Sequence, residues 1–315
     1  MVIVNYKLSC GKDSYFVVKI THDKNNILAK TKNIDYLAKL IDKNRKVMKR
    51  SVVTIIASMF ALMAVAQPKL VAHRGFYKAP GADENTIVAL QNAQKLGVYG
   101  VEFDVNMTAD GQIIVAHGPK ILGTELNAQN DTWEVIKGAV LPNGNKVPTL
   151  REWLVEAKKV PAIKQICEIK AHPSPETETK IVETLVEMAK ELDMLDQVEF
   201  TSFSYHACKE CARLAPGRPV LYLNSSLGVK VTAESAAADG ITGLSYSMYV
   251  YMNMPHLVED ARSKGLETTL WIVNHPEVVD WAVRHRIDYI SSDYPDKMKQ
   301  YLSSPKVIKA AKRAK

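Results

Sequence analysis

Short apolar runs alternate with segments of helical periodicity along most of this chain. Each run is long enough for one buried strand, and Gly, Pro, Asn or Asp often stands at its ends. Between the runs, apolar residues recur every three or four positions, which is typical of amphipathic helices. The predicted parallel strands are 69–73, 100–105, 165–170, 198–203, 220–223, 241–245, 268–273 and 288–292. Eight strands alternating with helices predict an α/β fold of the (β/α)8 TIM barrel class.

One further apolar run, 112–116, does not fit this alternation. It follows the turn at 108–111, Thr-Ala-Asp-Gly, and Asp-Gly is a strong hairpin indicator. We therefore predict an extra β-hairpin arm after the second barrel strand. If the turn is centred between positions 109 and 110, position 102 lies opposite 117 and position 104 opposite 115. Glu102 and His117 would then be cross-strand neighbours.

Ionisable side chains are concentrated where the predicted strands end. His73 follows the first strand. Glu102 and Asp104 lie two residues apart on the second strand, so both point to the same face. Glu168 and Lys170 have the same spacing on the third. The carboxyl ends of the strands form the active-site face of a TIM barrel, so these side chains are predicted to meet there.

The residue types favour cleavage of a phosphodiester. Three carboxylates on one face repel each other, and a divalent cation such as Mg²⁺ or Ca²⁺ relieves that repulsion by taking oxygen ligands. Arg74 suits a phosphate oxygen. His73 and His117 suit general acid–base roles, because the ordinary pKa of histidine is near neutrality. A single histidine or a Glu-x-Asp pair is more often structural, but the combination predicts metal-assisted phosphodiester cleavage.

These residues resemble the signature of the glycerophosphodiester phosphodiesterase family. The signature is His-Arg, then Glu-x-Asp, then His, and here it stands as His73-Arg74, Glu102-Phe103-Asp104 and His117. Segments 84–86 (Glu-Asn-Thr), 147–150 (Val-Pro-Thr-Leu) and 168–170 (Glu-Ile-Lys) also look like family features. Two positions depart from the pattern: Asp83 stands where the family usually has Pro, and Gly118 where it usually has Asp. The segment between His117 and Pro148 is also shorter than usual.

The resemblance implies hydrolysis of a small-molecule glycerophosphodiester to sn-glycerol 3-phosphate and an alcohol. It implies three metal ligands for Mg²⁺ or Ca²⁺, two phosphate-binding cations and two proton-transferring histidines. These are, in that order, Glu102, Asp104 and Glu168; Arg74 and Lys170; and His73 and His117. Two alternatives remain: a related enzyme that cleaves intact phospholipids or sphingolipids, and a non-catalytic barrel that binds glycerophosphodiesters. A lipid enzyme would need an exposed apolar rim, and the sequence shows no strong apolar loop.

Four side chains near the ends of later strands are candidates for the substrate pocket. They are Phe203, Tyr246, Trp271 and Asn274. Core packing is an equal alternative for each of them. The sequence leaves the oligomeric state and the choice of headgroup open.

The net charge of +7 would by itself suggest a nucleic-acid partner. Residues 1–50 contain 12 basic and 4 acidic residues, so they contribute +8 and the rest of the chain −1. The basic character therefore lies outside the predicted barrel. We predict no nucleic-acid partner on this ground.

Residues 48–66 are typical of a secretory signal peptide. The positive segment 48–50 precedes an uncharged apolar stretch, and the small residues at 64–66 suit cleavage after Ala66. A transmembrane anchor is the alternative, but the stretch 51–65 is short for a span of about 20 residues. We predict an exported protein, periplasmic or secreted, with membrane contact only if this segment stays uncleaved.

This assignment divides the chain into four parts. Residues 1–47 would be an extension of doubtful status, with translation starting at Met48; a cytosolic segment of a membrane-anchored protein is the alternative. Residues 48–66 would be the signal peptide and 67–302 the TIM-barrel domain. Residues 303–315 are predicted to be a basic, solvated C-terminal tail.

Overall fold

The computed structural model of this protein describes residues 67–313, with side chains for 67–311. The predicted extension at 1–47 and the predicted signal peptide at 48–66 lie outside the described residues. None of the helices in the described part of the chain has the length and apolarity to cross a membrane.

The described residues form one sheet that closes on itself. Its strands are β1 (Lys69–Ala72), β2 (Gly100–Met107), β3 (Ile113–Val115), β4 (Lys164–Ile169), β5 (Val198–Ser202), β6 (Val220–Asn224), β7 (Gly243–Ser247), β8 (Glu267–Trp271) and β9 (Tyr289–Ser292). All strands except β3 pair in parallel, and β1 pairs with both β2 and β9. The predicted (β/α)8 barrel is confirmed, and each predicted strand bound lies within two residues of the observed one.

Helices surround the barrel. They are α1 (Ile87–Leu96), α2 (Trp133–Ile136), α3 (Leu150–Ala157), α4 (Pro175–Glu191), α5 (Tyr205–Leu214), α6 (Ala233–Ala238), α7 (Met248–Asn253), α8 (His256–Ser263), α9 (Pro276–Arg284), α10 (Pro295–Leu302) and α11 (Pro305–Arg313). Hydroxyl side chains cap several of them, as Thr86 caps α1 and Ser174 caps α4. Thr149 and Glu152 form a capping box at the start of α3.

The period-two alternation of the strands separates packing from function. On β2, Phe103 and Val105 belong to the hydrophobic core between the barrel and its helices. Phe103 stacks on Trp153 of α3, with ring centroids 4.8 Å apart. Glu102 and Asp104 therefore point to the opposite side, into the barrel.

The hairpin arm β2–β3 is present, but its predicted register is wrong. Val105 pairs with Val115 and Asn106 with Ile114, so position 104 faces 116 and not 115. The turn is one residue longer than predicted, because Thr108 N–H donates to the Gln112 carbonyl across a three-residue loop. Glu102 and His117 are therefore not directly opposed.

The segment 118–148 forms a small apolar cluster of its own beside β3. Asp83, which replaces the usual proline, ties the loop before α1 to this segment. Its buried carboxylate accepts hydrogen bonds from Asn143 and Asn145 at 2.8–3.3 Å. The departure at position 83 thus has a structural partner elsewhere in the same chain.

The prediction of a solvated tail after residue 302 is wrong. Residues 305–313 form α11, and Val307 and Ala311 are almost fully buried against the barrel domain. Lys306 binds Asp280 of α9 with 2.7 Å between Nζ and Oδ2. The prediction relied on the basic composition of the segment and overlooked Val307 and Ala311, which lie one turn apart on the same helix face.

Candidate active site

Three carboxylates meet at the carboxyl ends of β2 and β4. The parallel pairing places Asp104 beside Glu168, and Glu102 lies one pleat back on the same face of β2. One carboxylate oxygen from each residue lies within 4.8 Å of one from each of the other two, and all three residues are buried. The sequence prediction that these three residues meet is confirmed.

Burial and mutual repulsion set the charge states of this cluster. Burial, with the charges of Asp104 and Glu168, raises the pKa of Glu102 well above its usual value. Burial and Asp104 raise the pKa of Glu168 to about 7. Burial acts in the same direction on Asp104, but the charges of Lys170, His117 and Arg74 and the hydrogen bond from Asn85 together outweigh it, so the pKa of Asp104 is lowered. Asp104 therefore holds a proton less strongly than an ordinary carboxyl group, and Glu102 and Glu168 hold one more strongly.

Two cations lie against these carboxylates. Lys170 Nζ is 2.6 Å from Glu168 and 3.2 Å from Asp104. Arg74 binds Glu84 at 2.8 Å, and its Nε lies 3.7 Å from Asp104. Burial would lower the pKa of Arg74 and of Lys170, but Asp104 and the other carboxylates raise both. Both cations stay charged at the mouth of the barrel.

The backbone after β1 is shaped to bring Arg74 to the site. Arg74 has a φ of 53°, and its own N–H donates to Glu102 at 2.7 Å. Gly75 follows with a φ of 77° and passes so close to α1 that an added Cβ would lie 2.7 Å from the Ala89 Cβ. Only glycine fits this crossing.

His73 is oriented from the far end of the chain. Its Nδ1 lies 2.8 Å from the Asp293 carboxylate, which also accepts a bond from Asn274 Nδ2 at 2.8 Å. Burial alone would raise the pKa of Asp293, but the bonds from His73 and Asn274 lower it. The other ring nitrogen of His73 faces the carboxylate cluster, 4.0 Å from Glu102.

His117 lies on the same cavity as His73, together with Arg74, Glu168 and Lys170. Burial lowers the pKa of His117; the negative charge of Asp104 opposes this, while Lys170 adds to it. The ring of His117 is therefore mostly neutral at pH 7 in the protein without substrate.

The cavity has a volume of about 290 Å³ and extends into the barrel interior. Phe203 and Trp271, two of the four candidates for the substrate pocket, line this cavity with their rings perpendicular and 5.8 Å apart. Tyr246 does not line it. It points outwards, is fully buried, and stacks on Tyr251, because inward positions of β7 fall to Ser245.

Asn274 is also not a pocket residue. Its side chain bonds Asp293 and Ser292 and so supports the residue that holds His73. The site also contains two residues that the sequence did not single out as functional, Asp293 and Asn85. Asn85 donates to Asp104 at 2.7 Å from a buried position with a φ of 59°. The position of Asp293 could have indicated its role, because it is an acidic residue directly after the last barrel strand.

The fold and this arrangement at the strand ends define a TIM-barrel enzyme. Residues 73–297 match the model of the glycerophosphoryl diester phosphodiesterase family. The chain therefore belongs to this family.

Two relatives show how far the similarity extends. A glycerophosphodiester phosphodiesterase of Caldanaerobacter subterraneus is 28% identical over 243 residues, which cover 72% of this chain and 94% of the relative. The crystal structure of a glycerophosphodiester phosphodiesterase from Parabacteroides distasonis is 34% identical and superposes with a TM-score of 0.70, covering 75% of this chain and 97% of that one.

A third solved structure shares the fold at lower identity. It is a phosphodiesterase of Oleispira antarctica in complex with the product sn-glycerol-3-phosphate. It is 22% identical and has a TM-score of 0.67, and the alignment covers 76% of this chain and 98% of that one.

Proposed function

We propose that this protein is a metal-dependent hydrolase that converts glycerophosphodiesters to sn-glycerol 3-phosphate and an alcohol. The observation that carries the proposal is the convergence of three buried carboxylates, two cations and two histidines on one cavity. Relatives named for glycerophosphodiester cleavage support the substrate class, and the Oleispira complex supports the product.

Glu102, Asp104 and Glu168 would hold the cation. Glu102 Oε1 is buried and has no hydrogen-bond partner among residues 67–311, which fits an oxygen ligand awaiting a hard ion. Burial and the neighbouring carboxylates raise the pKa of Glu102 and Glu168, and a bound cation would oppose both effects. Mg²⁺ and Ca²⁺ both suit this donor set. When bound, the ion would supply positive charge to the phosphate oxygens.

Arg74 and Lys170 would bind the phosphate. Both side chains are held by carboxylates at the cavity, so their charges are already placed when substrate arrives. Placed charges stabilise the extra negative charge that develops on phosphate oxygens in the transition state, with little reorganisation. Arg74 can also offer two parallel N–H donors to the phosphate.

His73 and His117 would move the protons. With Nδ1–H donated to Asp293, the neutral His73 ring has its lone pair on Nε2, facing the carboxylate cluster. It can take up a proton there while Asp293 stabilises the resulting cation. His117 would serve the other oxygen, and an anionic phosphate beside it would raise its pKa toward the working range.

The deciding experiment is release of glycerol 3-phosphate from glycerophosphocholine by the full chain. It is run with Mg²⁺, with Ca²⁺ and with EDTA, beside His73→Ala and His117→Ala. We expect release that needs the metal and falls by about 10²–10⁴-fold in each variant, the usual range for loss of a general acid or base.

His206→Ala is the matched control, because this histidine lies on α5 and bonds Thr179 of α4, away from the cavity. Full activity in EDTA would contradict metal dependence. No release from any glycerophosphodiester by folded, metal-loaded protein would overturn the proposed function.

We further propose that the protein is exported. The support is the pattern at 48–66, where a positive start, an apolar stretch and Ala64-Val65-Ala66 follow in order. N-terminal sequencing of protein recovered from the periplasm or medium should give Gln67 as the first residue. A mature start before Met48, or recovery only from the cytoplasm, would contradict export with cleavage after Ala66.

A further inference from the structure

Large apolar side chains are exposed along one arc of the barrel mouth. They are Phe203 after β5, Leu227 after β6, and Met248, Tyr249 and Met252 on α7, directly after β7. These strands are neighbours in the sheet, so the loops that follow them are neighbours at its carboxyl end. We call these five residues the apolar rim. No strong apolar loop was expected from the sequence, and the exposed side chains of the apolar rim correct that expectation.

Helix α7 presents its exposed residues from a fixed base. Val250 and Tyr251 are fully buried, and Tyr251 donates to the Leu244 carbonyl at 3.0 Å and stacks on Tyr246. The opposite side carries Met248, Tyr249 and Met252, with Tyr249 59% exposed. Exposure of three large apolar residues on so short a helix is unusual for a surface that meets only water.

The rim continues into the cavity. Ser247 at the end of β7 pairs with Trp271 of β8, so α7 begins beside the Trp271 side of the cavity mouth. Trp271 contacts Phe203, and the cavity wall behind them is completed by Leu221 and Leu223. An apolar path therefore runs from the barrel interior to the outer surface.

Charge is divided across the mouth. Segments 219–229, 240–255 and 268–274 contain no Asp, Glu, Lys or Arg. The carboxyl-terminal ends of β2 and β4 carry the three clustered carboxylates, and the segments after β1, β4 and β9 carry Arg74, Glu84, Lys170 and Asp293. The mouth is thus polar on one side and apolar on the other, which complements an amphiphile that joins a phosphodiester to an aliphatic chain.

The cavity is too small to hold the aliphatic chain of such an amphiphile, so the chain would lie on the apolar rim. The cavity volume of about 290 Å³ is close to the lower limit of small-molecule sites, which is about 300 Å³. It suits a glycerophosphate group but not a long chain as well. A chain attached to the glycerol would leave the cavity along the apolar wall and lie over α7.

We propose that the apolar rim binds the single aliphatic chain of a lysoglycerophospholipid, so that the substrates of this enzyme include single-chain phosphodiesters. This inference rests on the proposed function and extends it to a substrate class. The occupant is one chain of a dispersed molecule, because the apolar surface covers one arc of the mouth and the charged arc lies opposite.

The test compares two substrates that differ by one acyl chain. Glycerophosphocholine and a medium-chain lysophosphatidylcholine below its critical micelle concentration are cleaved by the full-length protein with metal present. The rim variant is Met248→Gln/Tyr249→Ser/Met252→Gln. We expect the ratio of kcat/KM, lysophospholipid over glycerophosphocholine, to fall at least about tenfold in the variant, because the chain loses apolar contacts. Val155→Gln, an exposed apolar position on α3 outside the mouth, should leave the ratio unchanged.

Binding of dodecylphosphocholine, measured by calorimetry below its critical micelle concentration, separates this inference from the proposed function. It is a single-chain phosphodiester without glycerol, so binding does not require turnover. We expect an affinity loss of at least about tenfold in the rim variant. Equal binding by wild type and variant, or none by wild type, overturns the inference. A rim variant that changes only self-association, or only binding to phosphatidylcholine vesicles, overturns it in favour of a second copy or a bilayer.

If neither substrate is cleaved but dodecylphosphocholine binding depends on the rim, the proposed hydrolysis fails and the chain site stands. Thermal unfolding tests whether the triple rim variant is folded. If the triple variant is unfolded, the single substitution Met252→Gln is used in its place. In the wild type, kcat/KM should also rise with acyl length, and a flat series would count against the site.

Discussion

Lys170 and Arg74 supply the positive charge that the clustered carboxylates meet in the protein alone. Lys170 contacts Asp104 and Glu168, and Arg74 approaches Asp104 from the other side. Glu102 receives one backbone donor, from Arg74, and keeps one oxygen without a partner in the described part of the chain. Unequal neighbours therefore explain why one carboxylate has a lowered pKa and the other two have raised values.

Stabilisation by metal should increase with pH. A raised folded-state pKa means that Glu168, with a value near 7 against an ordinary 4.5, contributes stability below about pH 4.5 that is lost as the pH rises through about 7. A cation binds the ionised form of Glu168, so its binding offsets the loss of folding stability as the pH rises. We expect Mg²⁺ affinity, measured by calorimetry, to tighten up to about tenfold per pH unit between about pH 5 and pH 7.

Glu168→Gln should weaken metal binding and flatten this pH profile. Asp110→Asn, at an exposed turn, is the matched charge removal and should leave the profile intact. An Mg²⁺ affinity that does not change with pH in the wild type would contradict the assignment of these carboxylates as ligands.

We expect Asp293 to act by orienting His73 and not by contacting the substrate. Asp293→Asn keeps the shape but removes the charge that fixes the His73 tautomer. We expect kcat to fall by roughly 10²–10³-fold with a small change in KM, because orientation and proton affinity are lost and binding is not. The chemical shifts of the His73 ring nitrogens should change as well.

Asp239→Asn on the outer ring, where the side chain accepts a bond from Tyr205, controls for a general effect of removing a carboxylate charge. A rise in KM with unchanged kcat would show that Asp293 contributes to substrate binding instead.

At the scale of elements, the crossing of the loop after β1 over helix α1 can be tested with two glycines. Gly75 and Gly81 both have φ near 76°, but an added Cβ meets Ala89 at 2.7 Å only at Gly75 and has open space at Gly81. Gly81→Ala should cost about 1–2 kcal/mol of unfolding free energy from the left-handed backbone alone. Gly75→Ala should cost about 1–3 kcal/mol more, through overpacking.

Urea unfolding of the two variants measures the difference. Because Arg74 precedes Gly75, we also expect Gly75→Ala to lose activity while Gly81→Ala retains it. Equal stability of the two variants would show that the loop can move away from α1 without loss.

Helix α11 makes a second prediction at this scale. Val307 is fully buried, so Val307→Ala should cost about 2 kcal/mol of unfolding free energy. Lys309→Ala, on the exposed side of the same helix, should cost almost nothing. Equal stability of both variants with wild type would mean that the segment is solvated, as its basic composition had suggested.

Across the whole molecule, features set by local periodicity could be predicted and features set by distant contacts could not. The β2 pattern at 102–105 placed two carboxylates inward and Phe103 outward, and the structure agrees. The hairpin register depended on one residue in a turn, where either loop length satisfied the sequence.

The pocket shows the same limit. Tyr246 lies on β7 and Trp271 ends β8, and the inward or outward phase of each strand decides that Trp271 lines the cavity and Tyr246 does not. The bond between His73 and Asp293 joins residues 220 positions apart, and no periodic pattern reports such a contact. Helix α7 was not predicted, and its six residues hold too few turns to show a helical period.

The closure of the barrel has a consequence for when the enzyme can first work. Strand β1, which is made early, has β9 as one of its two partners, and His73 relies on a carboxylate beyond β9. A chain still emerging from the ribosome therefore holds the three clustered carboxylates and both histidines without a closed ring or an oriented His73. On the proposed mechanism, activity has to wait until β9 and Asp293 have been synthesised, so the end of translation sets the earliest moment of catalysis.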